Sequence, residues 1–209
     1  ATQNARDNKV VVLPGNGDGT FGGRAEFATG TGPVFVAVGD LNGDGHHDLV
    51  TTNVGSDSVS VLLSNGDGAF GTRTDFPTGA DPRSVAIEDL DGDGHPDLAV
   101  ANSGSNTVSV LLGSGDGAFG TRTDFPTGAA PYSVAIEDLD GDGHPDMATA
   151  NYLAASVSVL LGEGDGTFGA TTDLATGAIS RSVAIEDLDG DGHLDLVTAA
   201  FVTVLIVSN

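Results

Sequence analysis

Short runs in which β-branched and small polar residues alternate recur along this chain, separated by clusters of glycine and aspartate. Ser84–Glu88 (SVAIE) puts Val85 and Ile87 on one face of an extended segment. Asp97–Ala101 (DLAVA) and Thr107–Leu112 (TVSVLL) follow with the same character. A period of two, with β-branched residues in phase, predicts strands. The chain has 32 glycines and no long run of helical period, which favours tight turns between short strands. A fourth segment, Thr121–Thr127 (TRTDFPT), is more polar and contains Pro126. Proline cannot donate to a ladder, so this strand is expected at a sheet edge.

The pattern returns every 49 residues. EDLDGDGHPD stands at Glu88–Asp97 and Glu137–Asp146, with variants at Gly39–Asp48 (GDLNGDGHHD) and Glu186–Asp195 (EDLDGDGHLD). A second motif, GDGxFG, has its Asp at Asp18, Asp67, Asp116 and Asp165, in the same period. Four antiparallel strands per unit at this period are the pattern of a propeller blade; the coils of a β-solenoid are usually much shorter. The expected architecture is all-β: a β-propeller of about four four-stranded blades in one repeat domain, with units near 1–33 (partial), 34–82, 83–131, 132–180 and 181–209 (partial). The chain reads as opening in a third strand (Lys9–Leu13) and closing in another (Val202–Ile206), giving five third strands and four of every other kind. The last loop between second and third strands reads about four residues shorter than its counterparts. The surplus strand is expected to be an adapted cap or to pair with another chain, as a homo-oligomeric filament or a two-chain ring.

Charge changes the picture. Seven basic residues face 30 acidic ones, for a formal charge of -23. Nucleic-acid phosphates and anionic membranes would be repelled, and no apolar stretch approaches the ~20 residues that cross a bilayer. There are no cysteines, so disulfides and thiolate metal sites are excluded. The sequence begins at Ala1 with no visible signal peptide, as a mature secreted product or a trimmed chain would.

The acids are clustered, which points to cations. Counted from its first Asp, each acidic motif sets side-chain oxygens at positions 1, 3, 5 and 9. These are Asp40, Asn42, Asp44 and Asp48; Asp89, Asp91, Asp93 and Asp97; Asp138, Asp140, Asp142 and Asp146; and Asp187, Asp189, Asp191 and Asp195. A glycine at 6 permits a sharp turn, and His46, His95, His144 and His193 at 7 can each offer a backbone carbonyl. This is the front half of an EF-hand calcium loop. The glutamate at 12 is missing, with Thr51, Val100, Thr149 and Thr198 in its place, and strands rather than helices flank the loop. All-oxygen ligation suits a hard cation, and calcium accepts it more readily than magnesium; zinc would want the imidazoles, which come singly in three units and as His46–His47 in the first. The alternative is a set of acidic turns with no metal. In that case a like-charge pair at 4 Å costs about 4 kcal/mol at an effective dielectric near 20. About four calcium ions are therefore expected, and they would take the formal charge from -23 to -15.

The loops DLNGDGHHD and DLDGDGHPD, with GDGTFG or GDGAFG in every unit, resemble FG-GAP/VCBS repeats over nearly the whole chain. That family forms the propeller of integrin α-subunits and of many secreted microbial adhesins, lectins and enzyme-associated modules. The resemblance implies calcium held by positions 1, 3, 5 and 9 plus the carbonyl of 7 in all four loops. It also implies an extracellular or cell-surface setting. The family usually closes its ring with seven blades, and this chain supplies about four.

In a blade, loops one–two and three–four emerge on one face and the remaining loops on the other. The calcium loops and GDGxFG turns share a face that is nearly identical in every unit, with Phe21, Phe70, Phe119 and Phe168 expected to pack between blades. The opposite face varies. Its two–three loops read NVGSDS, NSGSNT and NYLAAS, and its four–one loops carry Val34, Arg83, Tyr132 and Arg181 at equivalent positions. Tyr and Arg favour interfaces, so Arg83, Tyr132, Tyr152 and Arg181 are the candidate ligand residues; the alternative is drift in exposed loops. The expected function is non-enzymatic adhesion to an extracellular glycan or protein surface. A structural assembly subunit and a propeller-type hydrolase or lyase are the alternatives. Paired carboxylates can do acid–base work, but here all match calcium positions.

Overall fold

The computed structural model describes residues 2–4, 7–200 and 204–207, and side chains from 7 to 199. Among these residues there is no helix. The strands form five antiparallel sheets in chain order. The first holds β1 (Thr2–Asn4), β2 (Lys9–Val12) and β3 (Ala25–Ala28). The second holds β4 (Pro33–Gly39), β5 (Asp48–Asn53), β6 (Ser58–Leu62) and β7 (Thr74–Pro77). The third holds β8 (Pro82–Glu88), β9 (Asp97–Asn102), β10 (Thr107–Leu111) and β11 (Thr123–Pro126). The fourth holds β12 (Pro131–Glu137), β13 (Asp146–Asn151), β14 (Ser156–Leu160) and β15 (Thr172–Ala175), and the fifth β16 (Ser180–Glu186), β17 (Asp195–Ala200) and β18 (Val204–Val207). The fourth strands β7 and β11, each ending in a proline, are sheet edges, as their missing donors require.

Successive sheets touch along their first strands, β4 with β8, β8 with β12 and β12 with β16, in a propeller-like array. The core lies between sheets. Leu41, Val50, Val59 and Val61 of the second sheet meet Val85, Leu98, Val100 and Leu111 of the third. Ala99, Ala101, Val108 and Val110 of the third meet Val134, Met147 and Leu160 of the fourth. The middle strands of the second, third and fourth sheets therefore bury both faces, and β5, β9 and β13 are buried at every residue.

Two expectations about the ends are corrected. β1 pairs with β2 (Thr2 opposite Val11), so the described array begins in a second strand, not a third. Five second and five third strands are described, with four of each other kind. Ala199 pairs with Val204 where Ala150 pairs with Val157, so the last hairpin is two residues shorter than its counterpart, not four. The expected start at Val202 lies outside the described residues.

One polar column runs through the buried middle strands. Asn102 Nδ2 donates to Ser109 Oγ (2.8 Å), which donates to Asp124 Oδ1 (2.6 Å) and accepts from Gly79 N (3.1 Å). Asn53–Ser60–Asp75 and Asn151–Ser158–Asp173 repeat it. A buried polar group is tolerable when its bonds are made, and this column ties each sheet's edge strand and incoming turn to its centre.

Candidate metal centres and the opposite face

Each acidic loop joins a first strand to a second and is built by its own carboxylates. Asp89 Oδ1 accepts from Gly92 N (2.8 Å) and Oδ2 from Gly94 N (2.9 Å), folding the loop around the position-1 side chain. Asp40, Asp138 and Asp187 do the same. These backbone donors favour the ionised form, so the carboxyls of Asp40 and Asp187 titrate below their ordinary range. The position-9 aspartate opens the second strand and is fully buried in three loops. Asp97 Oδ2 accepts from Leu90 N (2.8 Å) and Oδ1 from Gly113 N (2.7 Å), bridging its loop to the start of the GDGxFG turn. Asp48 and Asp146 bridge likewise.

Burial pushes the Asp97 carboxyl up to about 6, against its two backbone donors, and the charges of Asp91 and Asp89 add to the rise. Burial raises Asp146 as well. Positions 1, 3 and 9 converge in three loops: ligand oxygens of Asp89, Asp91 and Asp97 lie within 4.8 Å of one another, as do those of Asp138, Asp140 and Asp146 and of Asp187, Asp189 and Asp195. In the first loop Asn42 stands at position 3 and donates to Asp44 Oδ2 (3.0 Å). The position-5 carboxylates are not part of these triads. Asp44, Asp93, Asp142 and Asp191 each accept instead from the N–H of the following histidine (2.8 Å). A buried carboxylate converging with two others, all hard oxygen donors, fits a hard divalent cation.

The histidine side chains have a use that their sequence position did not reveal. The His95 ring lies against Gly115, the first glycine of the GDGxFG turn, so closely that a Cβ there would sit 2.4 Å from Nδ1. His46 on Gly66 and His144 on Gly164 repeat the contact. These glycines also hold φ near +75°, a second reason for their identity. The turns and acidic loops thus share one face.

The phenylalanines of the turns pack edge-on against the fourth strand of the preceding sheet. Phe70 meets Phe27 (4.9 Å), Phe119 meets Phe76 (5.3 Å) and Phe168 meets Phe125 (5.2 Å). Phe21, expected to do the same, is 67% exposed, because no described sheet precedes its own.

On the opposite face the four candidate ligand residues come together. The Tyr132 and Tyr152 rings lie 5.0 Å apart, tilted by 37°. Arg83 sits over Tyr132 (5.0 Å) and Arg181 over Tyr152 (4.8 Å), with Arg181 also donating to Tyr152 Oη (3.4 Å). Arg83 is forked onto Asp81 (2.7 and 3.1 Å). The backbone explains the convergence. Val34, Arg83, Tyr132 and Arg181 are not loop residues: each is the second residue of a first strand, at a register shift where it has no partner. A bulge turns its extra residue away from the ladder and re-aims its side chain.

A family model for FG-GAP-like repeats matches residues 1–51, 40–100, 89–149 and 138–198. The chain belongs to the FG-GAP-like repeat family. Three of the four matches begin at the first aspartate of an acidic loop and run through the next loop. No curated protein matches the chain. Solved structures share the fold of this FG-GAP-like array at low identity. An Agrocybe aegerita lectin that recognises non-reducing terminal N-acetylglucosamine matches at 24% identity and TM-score 0.61, over 92% of this chain and 55% of its own. Virginiamycin B lyase from Staphylococcus aureus matches at 16% identity and TM-score 0.63, over 97% of this chain and 59% of its own. The Vibrio cholerae (V. cholerae) biofilm matrix protein Bap1 matches at 17% identity and TM-score 0.55, over 96% of this chain and 37% of its own. The chain spans little more than half the length of the first two, and less of the third.

Proposed function

We propose that this chain is an extracellular, calcium-stabilised, non-enzymatic propeller module that binds a glycan or protein surface. The observation that carries the reading is the contrast between its faces. One face repeats the same acidic loop four times. On the other, bulged residues that differ from sheet to sheet, joined by Tyr152 of a two–three loop, gather two tyrosines and two arginines. A structural job selects sameness; a rigid scaffold with differing side chains at one spot suits recognition.

The four loops would hold calcium through Asp89, Asp91, Asp93 and Asp97 and their counterparts, with the carbonyl of the position-7 histidine. Calcium supplies positive charge where three carboxylates converge. The chain's own residues do the rest: Asp89 folds the loop by accepting two glycine N–H groups, and Asp97 pins it to the neighbouring turn.

For the ligand, the paired Tyr132 and Tyr152 offer aromatic rings, with the planar donors of Arg83 beside Tyr132 and of Arg181 beside Tyr152. The lectin's recognition of a terminal N-acetylglucosamine makes terminal sugars the first class to test. The lyase among the structural relatives makes an enzyme screen a necessary companion. The deciding experiment is a glycan array probed with the wild-type chain and with Tyr152→Ala and Arg181→Ala, alongside a hydrolase and lyase screen. The reading expects a glycan signal that both variants lose and no turnover. Binding untouched by both variants, or turnover of a bound sugar, would refute it.

A further inference from the structure

The GDGxFG turn of the fourth sheet has three glycines, and the first two face different calcium loops. In the turn of the fourth sheet, Gly164 is covered by the His144 ring, which belongs to loop 138–146 of the same sheet. The second glycine, Gly166, faces backwards. Its N–H donates to the carbonyl of Leu90 (3.2 Å), a residue of loop 89–97 in the preceding sheet. A Cβ on Gly166 would sit 2.8 Å from Leu112 Cδ2 and 3.5 Å from the Cβ of Asp91, a candidate ligand. Gly162, which opens the turn, donates to Asp146 (2.7 Å), the buried ligand of loop 138–146. Phe168, which closes it, packs on Phe125 of the preceding sheet (5.2 Å). One short turn is thus clamped by one loop and clamps the next.

From this we infer that adjacent calcium loops are coupled through the turn between them, with His144 as the positioning residue that carries the coupling. The inference rests on the calcium reading given above. The physical argument has two halves. An ordered loop 138–146 fixes both Asp146 and the His144 ring, which hold the turn down at Gly162 and Gly164. The docked turn then presents the Gly166 N–H to Leu90, between two ligands of loop 89–97, and removes part of the ordering cost of that loop. Binding at one loop therefore raises affinity at the other, and the effect is reciprocal because coupling free energies are. The contact chain is most complete between these two loops. At the other end of the array, the second glycine of the second sheet's turn, Gly68, has nothing within 4 Å. His46 therefore holds a turn with no such onward contact.

The test is a calcium titration followed by NMR, reading the amide of Gly94 for loop 89–97 and of Gly143 for loop 138–146. Asp140→Ala, which weakens loop 138–146, is expected to shift the Gly94 midpoint about fivefold to higher calcium, within the range of ordinary couplings. His144→Ala keeps every side-chain ligand and is expected to shift Gly94 similarly while Gly143 still titrates. His144→Phe restores a ring over Gly164 without a nitrogen and is expected to recover most of the shift. His46→Ala should leave Gly94 in place. Should His144→Ala fail to fold, Asp140→Ala and His144→Phe against wild type still carry the test. A Gly94 midpoint unmoved by both Asp140→Ala and His144→Ala would overturn the coupling while leaving the calcium reading intact. Amides unmoved by millimolar calcium in the wild type would overturn both.

Discussion

At the scale of single residues, the repeats act as internal controls. In the second and fourth sheets the buried Asn accepts a hydrogen bond from a threonine two residues earlier: Thr51 Oγ1 reaches Asn53 Oδ1 (3.4 Å) and Thr149 Oγ1 reaches Asn151 Oδ1 (3.0 Å). In the third sheet that residue is Val100, and Asn102 Oδ1 is left buried without a partner. An orphaned buried acceptor costs about 1–3 kcal/mol, so Val100→Thr, which supplies the missing donor, is expected to stabilise the fold by about 1 kcal/mol in urea or thermal unfolding. Asp97 gives a second prediction. Its carboxyl titrates at about 6 in the folded chain, above the ~3.9 of an unfolded Asp. Between those values the folded state holds the extra proton, so without calcium stability falls as pH rises from about 4 to 6 and levels off above. Asp146 shifts the same way and adds to the trend. The lowered Asp40 and Asp187 act below pH ~4, outside this window. Calcium must displace that proton, so affinity at loop 89–97 is expected to drop about tenfold per unit below pH 6, measured by calorimetry at stepped pH. Neither the orphaned oxygen nor the raised carboxyl was legible in the sequence, because both depend on how deeply the packed sheets bury the group.

At the scale of elements, much was legible. Alternation marked β8, β9 and β10, and Pro126 marked β11 as an edge, since one-dimensional spacing and backbone chemistry fix both. The acidic loops were legible because their carboxylates are local in sequence. β1 was not: three residues, Thr2–Asn4, carry no hydrophobic period. The bulges at Val34, Arg83, Tyr132 and Arg181 were also hidden, because a bulge is a mismatch between two strands and no single strand records it. The turn phenylalanines were assigned correctly between sheets, except Phe21, whose exposure depends on a neighbour rather than on its own motif. The contrast is testable. Phe168 is 9% exposed and set edge-on to Phe125, so Phe168→Ala is expected to cost about 3 kcal/mol in thermal or urea unfolding. Phe21→Ala, at an exposed site, is expected to change stability by less than about 0.5 kcal/mol.

At the scale of the whole molecule, the balance is between apolar burial across the sheets and charge. Leucines and valines from adjacent sheets bury completely, and each such side chain contributes about 1.5–3 kcal/mol. Against this stands a formal charge of -23, with 15 of the 30 acids held in four loops on one face. The described ion pairs, such as Lys9–Glu26, Arg73–Asp75 and Arg122–Asp124, each use an acid of a fourth strand and do not reach those loops. Two treatments should therefore act differently. Salt screens the long-range repulsion among exposed charges, with a Debye length of about 10 Å at 0.1 M. It cannot replace an ion coordinated among carboxylates within 4.8 Å of one another. Calcium at a hundredfold excess over its dissociation constant adds about 2.7 kcal/mol per site, or roughly 5–10 °C each for a chain of 209 residues. Thermal unfolding in EDTA is thus expected to start well below that in millimolar calcium. Sodium chloride should recover a few degrees of the loss, and magnesium, which dehydrates reluctantly and demands octahedral geometry, little more. If salt alone restores the full melting temperature, the loops act through bulk charge and not through a bound ion. If neither EDTA nor salt moves it, burial between the sheets suffices without any cation.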